Sequence, residues 1–189
     1  MAKDEAKKSA TKVVTGKVRM SYVQVFEPNP DDAEIDAGKY SVSLLIPKND
    51  TATIKKIKAA IEAAKQEGKT SKWGGKIPAK LENPLHDGDI DKEDDPVYAD
   101  HYYLNAKSSK QPEVVDRALN PILDADEFYS GCYGRASINF FAYDKSGNKG
   151  IGCGLNNLQK LADGEPLTGR SRAEDDFADE YEDDEDDDF

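Results

Sequence analysis

The chain has 189 residues, with 26 Lys and Arg against 38 Asp and Glu, a formal charge of −12 and 37% hydrophobic residues, at a mean hydropathy of −0.79. This length holds one or two small domains around a modest core and excludes a large multidomain enzyme. No run approaches the roughly 18 apolar residues of a membrane span, and the polar start from Met1 to Lys12 lacks a secretory signal. A soluble intracellular protein with no membrane association is therefore expected.

The charge is unevenly spread. Residues 174 to 189 hold 12 acids and no base, so the first 173 residues are neutral overall and the tail carries the whole excess. Residues 82 to 100 hold eight acids and one lysine, and the remaining body then sums to +7. An acidic protein can thus still present a locally positive surface. Cys132 and Cys153 lie in apolar or glycine-rich surroundings without a CxxC or His companion, and read as reduced, buried fillers.

Residues 1–11 read as a flexible N-terminus. From Lys12 to about Glu27, Val14, Gly16, Val18 and Met20 alternate with Thr15, Lys17, Arg19 and Ser21, which predicts a strand with one apolar and one cationic face. The alternation breaks at Tyr22, Val23 and Val25, predicting a bulge, and Pro28, Asn29 and Pro30 end the run. A second strand places Tyr40, Val42, Leu44 and Ile46 opposite Lys39, Ser41, Ser43 and Leu45, and stops at Pro47.

After Asp50, Ile54, Ile57, Ile61 and Ala64 recur at spacings of three and four, predicting an amphipathic helix with Gly68 beyond its end. Its lysines read as a solvated side or as phosphate contacts. Residues 69–100 read as irregular, with a basic aromatic stretch, Lys72, Trp73, Gly74, Gly75 and Lys76, then an acidic segment from Asp87 to Asp95 that reads as a loop or locally mobile insertion. The calcium-loop pattern is not met there, and no metal ligand is assigned.

Two more strands follow. Tyr102, Leu104 and Ala106 face the core opposite His101, Tyr103, Asn105 and Lys107. Cys132, Gly134, Ala136, Ile138, Phe140 and Ala142 oppose Tyr133, Arg135, Ser137, Asn139, Phe141 and Tyr143, a polar, cationic and aromatic face. Asp144 to Gly147 predicts a hairpin turn into a strand around Ile151. The pattern predicts a mainly β fold, an OB-fold barrel with one principal helix and long loops, over residues 12–170, followed by a disordered acidic tail at 171–189.

Single-strand binding needs cations for phosphates and flat rings for bases. Lys17, Arg19, Lys72, Trp73, Lys76, Tyr103, Lys107, Tyr133, Arg135 and Phe141 supply both on predicted outer faces and loops. The competing reading packs the same rings: Phe141 or Tyr143 beneath a terminal segment, and Trp73 onto the fold.

Enzyme signatures are weak. Gly147, Gly150, Gly152 and Gly154 match no phosphate loop and read as close strand packing or a tight bend, and only His86 and His101 are available as imidazoles. No catalytic residue and no cofactor is assigned. In the tail, Asp175, Asp176 and Phe177 recur as Asp187, Asp188 and Phe189. The second triplet is the candidate partner-binding element, and the carboxylates can compete with DNA for a cationic groove.

The segments KYSVSLLIPK (39–48), YYLNAKS (102–108), YSGCYGRASINFFAYD (129–144) and GIGCGLNNLQKLADGEPL (150–167) resemble bacteriophage single-stranded DNA-binding proteins of the DUF2815 type. The resemblance implies an OB-fold protein without catalytic activity that binds single-stranded DNA in phage replication or recombination. The acidic tail is similar to that of T7-like phage single-stranded DNA-binding proteins, which implies recruitment of phage replication or recombination proteins. The setting implied is the cytoplasm of an infected bacterial host, and homodimerisation is compatible with the sequence. An acidic-tailed interaction adaptor and a metal-dependent nuclease remain the alternatives.

Overall fold

The structure, a computed structural model, describes residues 10–34, 36–167 and 177–179. Its strands are β1 (Lys12–Val14), β2 (Val18–Gln24), β3 (Tyr40–Pro47), β4 (His86–Asp87), β5 (His101–Ser108), β6 (Glu113–Val115), β7 (Tyr133–Lys145) and β8 (Asn148–Ala162). Its helices are α1 (Thr51–Ser71) and the single-turn α2 (Gly88–Asp91), with a 3-10 turn at Pro96–Tyr98.

The strands form one sheet in the order β1-β7-β2-β3-β5-β8-β6, with β4 paired to β5 and an additional β7–β8 pairing. The β5–β8 and β6–β8 pairs are parallel, and the others antiparallel. This corrects the expected OB-fold barrel: the finding is an eight-stranded mixed sheet. Alternation along a strand fixes which side chains share a face but not which strands become neighbours, so the architecture was not readable from periodicity. The mainly β character and the one long helix are as expected.

Strand faces follow the sequence closely. Val42, Leu44 and Ile46 of β3, Leu104 and Ala106 of β5, and Ala136, Ile138 and Phe140 of β7 are buried in one core. In β2, Val18 and Met20 are fully buried, and the predicted bulge appears as positive φ at Tyr22 (47°) and a register shift between Ser21 and Gln24. The first strand is split. Val13 is buried while Val14 is 44% exposed, because the chain turns at Gly16, whose amide donates to Thr53 Oγ1 at 3.0 Å.

Helix α1 covers the core with Ile54, Ile57, Ala60, Ile61 and Ala64. Asp50 caps it, accepting from the Thr53 amide at 3.2 Å. The predicted stop at Gly68 is corrected: Gly68 lies inside the helix, where a Cβ would collide with Ala142 of β7 and come within 2.9 Å of the Trp73 ring. Its missing side chain permits close helix–sheet contact. Trp73 seals this end with 7% exposure, its Nε1 donating to the Tyr143 carbonyl at 3.2 Å.

The acidic segment, expected as a loop or insertion, contains β4, α2 and the 3-10 turn and is tied to β3 through Lys48. Lys48 Nζ sits 2.8 Å from Asp87 Oδ1 and 2.7 Å from Asp89 Oδ2. The Lys48 hydrogen bond, followed by that from the Asp100 amide, holds Asp89 below the usual carboxylate range. Asp87 and Asp95 cap the two short helical turns. Tyr98, 2% exposed, packs on Leu45 and Tyr103 and meets Ser21 Oγ through its hydroxyl at 3.2 Å. Both cysteines are free and buried, and burial pushes the Cys153 thiol up to about 12. Among the described residues, no helix is long and apolar enough to cross a membrane.

Candidate nucleic-acid interface

The outward side of the β7–β8 hairpin is made from an unequal pairing. On β7, Asn139, Phe141 and Tyr143 oppose Gly154, Gly152 and Gly150 of β8. Each glycine makes room for its partner: a Cβ at Gly152 would stand 2.5 Å from Phe141 Cζ, one at Gly150 2.6 Å from Tyr143 Oη, and one at Gly154 2.9 Å from Asn139 Oδ1. The β7 side chains therefore lie across a glycine floor, close to the neighbouring backbone. Phe141 keeps 42% of its surface exposed, although apolar burial would favour covering it.

Strand pairing extends this floor sideways. The register aligns Lys12 of β1, Asn139 of β7, Gly154 of β8, Lys107 of β5 and Ser41 of β3 in one row. Beside it β5 exchanges partners, pairing with β4 at Tyr102 and Tyr103 and with β8 at Lys107. A cleft of about 710 Å³ opens at this fork, where Asn105, Lys107, Phe141, Tyr143 and Lys145 meet His86 and Glu82. Lys107 is also ion-paired with Asp36 at 2.9 Å. Tyr143 Oη donates to Glu82 Oε2 at 3.1 Å, and burial together with that carboxylate raises its pKa, keeping the phenol neutral.

The other end of β7 carries a second aromatic group. Lys17 Nζ lies 4.9 Å and Arg19 Cζ 5.6 Å from the Tyr133 ring centroid. Arg19 also donates from Nε to the Gly131 carbonyl at 3.1 Å and from Nη2 to the Glu165 carbonyl at 2.7 Å, so its plane is fixed. Arg135, exposed between the two ends, donates twice to Gln159 Oε1. Tyr133 and Phe141 are eight positions apart, about 26 Å of extended strand.

The candidates from the sequence therefore divide. Lys17, Arg19, Tyr133, Arg135, Phe141 and Lys107 fall along this face. Tyr103 points outward as expected but is 7% exposed, stacked on His86 at 4.9 Å and edge-on to Tyr98 at 5.2 Å. Trp73 is a core ring, contrary to its reading as an exposed platform, because its indole packs against α1 and β7. Lys72 and Lys76 are exposed beside Trp73 and do not line the cleft. Asp187, Asp188 and Phe189 lie outside the described residues.

Lys12, Asn105, Asn139, Tyr143 and Lys145 stand on this surface or in its cleft and were not among the candidates from the sequence. The available signal was the alternating Gly150, Gly152 and Gly154 opposite aromatic positions, which marks a floor for rings. Open rings, amide side chains and lysines on one surface can stack on bases and neutralise phosphates. Among the described residues, no group of three or more His, Cys, Asp or Glu could hold a metal ion.

Such a surface has the parts of a single-strand-binding platform, and the wider comparison agrees with that class. The chain belongs to the family of the Enterobacter phage Enc34 ssDNA-binding protein, whose family model matches residues 11–189. Protein p50 of Acyrthosiphon pisum secondary endosymbiont phage 1 is 36% identical over 168 residues, covering 84% of this chain and 87% of the relative. The Enc34 protein solved in complex with ssDNA is 28% identical, with a TM-score of 0.73 over 85% of this chain and 90% of that one. The single-stranded DNA-binding protein of bacteriophage T7 shares the fold at a TM-score of 0.60 and 16% identity, over 92% of this chain and 96% of that one.

Proposed function

We propose that the protein binds and protects single-stranded DNA without sequence preference in phage replication or recombination, and that it performs no bond-making chemistry. The observation that carries the reading is the family match over residues 11–189, together with the likeness to a relative solved with ssDNA. DNA lies on the outer face of β7 and β8, where bases stack on Phe141 and Tyr143 and, at the far end, on Tyr133. Lys12, Lys17, Lys107 and Lys145 follow the phosphates. Stacking contributes about 1–3 kcal/mol per base and is tolerant of sequence, because every base has a π-face. Counterion release supplies a salt-sensitive part.

The same proposal extends to features outside the described residues. The body spans 12–170 as one DNA-binding domain, preceded by residues 1–11 and followed by the acidic tail at 171–189. It is a protein of the DUF2815 type, with a tail like that of T7-like phage single-stranded DNA-binding proteins. The tail's 12 carboxylates compete with DNA for the cationic face, and Asp187, Asp188 and Phe189 recruit a replication or recombination protein. The site of action is the cytoplasm of the infected bacterium, and the assembly includes a homodimer.

Fluorescence anisotropy with labelled poly-dT and a matched duplex, repeated over salt concentration and with magnesium, tests the function. Tight, salt-sensitive binding that prefers poly-dT and leaves it intact is expected. No binding at low salt, or sustained cleavage, would overturn the reading.

A further inference from the structure

A second surface lies at the β6 edge of the sheet. Phe26, Val114, Val115, Leu119, Ile122 and Leu123 line an apolar groove of about 490 Å³. Leu119 is 69% and Leu123 87% exposed, an unusual placement for two neighbouring leucines in a chain with a modest core. The turn holding Leu119 is built rather than loose. Asp116 Oδ1 accepts from the amides of Ala118 and Asn120, both at 2.9 Å, and Leu119 adopts a φ of 68°. Glu113 lines the groove, Asp116 and Asp124 adjoin its lining residues Val115 and Leu123 in sequence, and residues 111–127 hold five acids against Arg117 alone.

We propose that this groove docks a partner protein through a segment whose apolar side chains are flanked by lysine or arginine. The leucines supply non-directional burial, and the acids supply the choice of partner. The same carboxylates repel DNA phosphates and the protein's own tail, with its 12 acids, so the groove has neither as occupant. Strand β6 pairs with β8 at residues 157–159, the stretch that also faces Arg135 and Ser137 of β7, so the groove adjoins the Tyr133 end of the proposed DNA path.

The test is titration of the isotope-labelled full-length protein with a short synthetic Leu/Lys peptide and its Leu/Glu counterpart, followed by amide NMR. The expected result is shifts centred on residues 111–123 with the Leu/Lys peptide alone. The Leu119→Ser/Leu123→Ser variant, with both changes at exposed positions, is expected to bind about tenfold more weakly while the rest of its spectrum stays native. Shifts confined to the acidic tail, equal binding of both peptides, or no shift would overturn the proposal. Movement of the same amides with protein concentration alone would give the groove to a second copy and overturn it too.

Discussion

The outward faces of β5 and β7 begin from the same kind of sequence and finish differently. Each alternates apolar inward residues with outward rings and cations: Tyr103 and Lys107 on β5, Phe141 and Arg135 on β7. On β5, the segment that follows α1 folds back, so that His86 stacks on Tyr103 and Tyr98 closes its edge. On β7, the paired strand offers Gly152 and Gly150, and the rings lie over a bare backbone with Phe141 still 42% exposed. Strand parity decides the side to which a ring points. What lies over that side decides whether the ring is core or platform.

The contrast yields substitutions of graded effect. Trp73→Ala removes a ring sealed between α1 and β7 and is expected to cost about 3–5 kcal/mol of stability by chemical denaturation. Tyr103→Ala is expected to lose about 3 kcal/mol in the same assay. Under conditions where they remain folded, both variants should keep poly-dT affinity within about twofold, since neither ring is offered to DNA in the proposed mode. A large affinity loss in folded Tyr103→Ala would erase the distinction between the two faces.

Phe141→Ala should behave in the opposite sense, losing about 1–3 kcal/mol of ssDNA affinity by anisotropy. Its melting temperature should change little, because the ring is already part exposed. Gly152→Val sharpens this result, since its side chain would meet the Phe141 ring and displace it while leaving the aromatic residue present. Comparable affinity losses in these two variants would tie binding to the ring's position. The smallest effect is expected from Lys107→Gln and Lys145→Gln, which should each lower the salt slope of binding by about one with sequence tolerance unchanged.

Much of the fold was legible because burial imposes a regular pattern. The inward residues of β3, β5 and β7, the helix from Thr51 and the bulge after Ser21 all follow from alternation or from spacings of three and four. The sheet order was not legible, because the same alternating strands serve an OB-fold barrel and the mixed sheet found here. Gly68 misled for a related reason: glycine next to helix-forming sequence signals a stop, while its use here is contact with Ala142. Outward cations and rings were visible, but the cover that Tyr98 gives Tyr103 was not, because Tyr98 lies in a region read as irregular. The glycines of β8 carried the missing information, since three alternating positions without side chains need neighbours that fill the space.

The most direct test of the central claim is photocrosslinking of the full-length protein to an iododeoxyuridine-substituted oligo-dT, with adducts located by mass spectrometry. The account predicts adducts on Phe141 and Tyr143, with Tyr133 as the further position. Adducts on Tyr103 or Trp73, with Phe141 and Tyr143 unmodified, would contradict it.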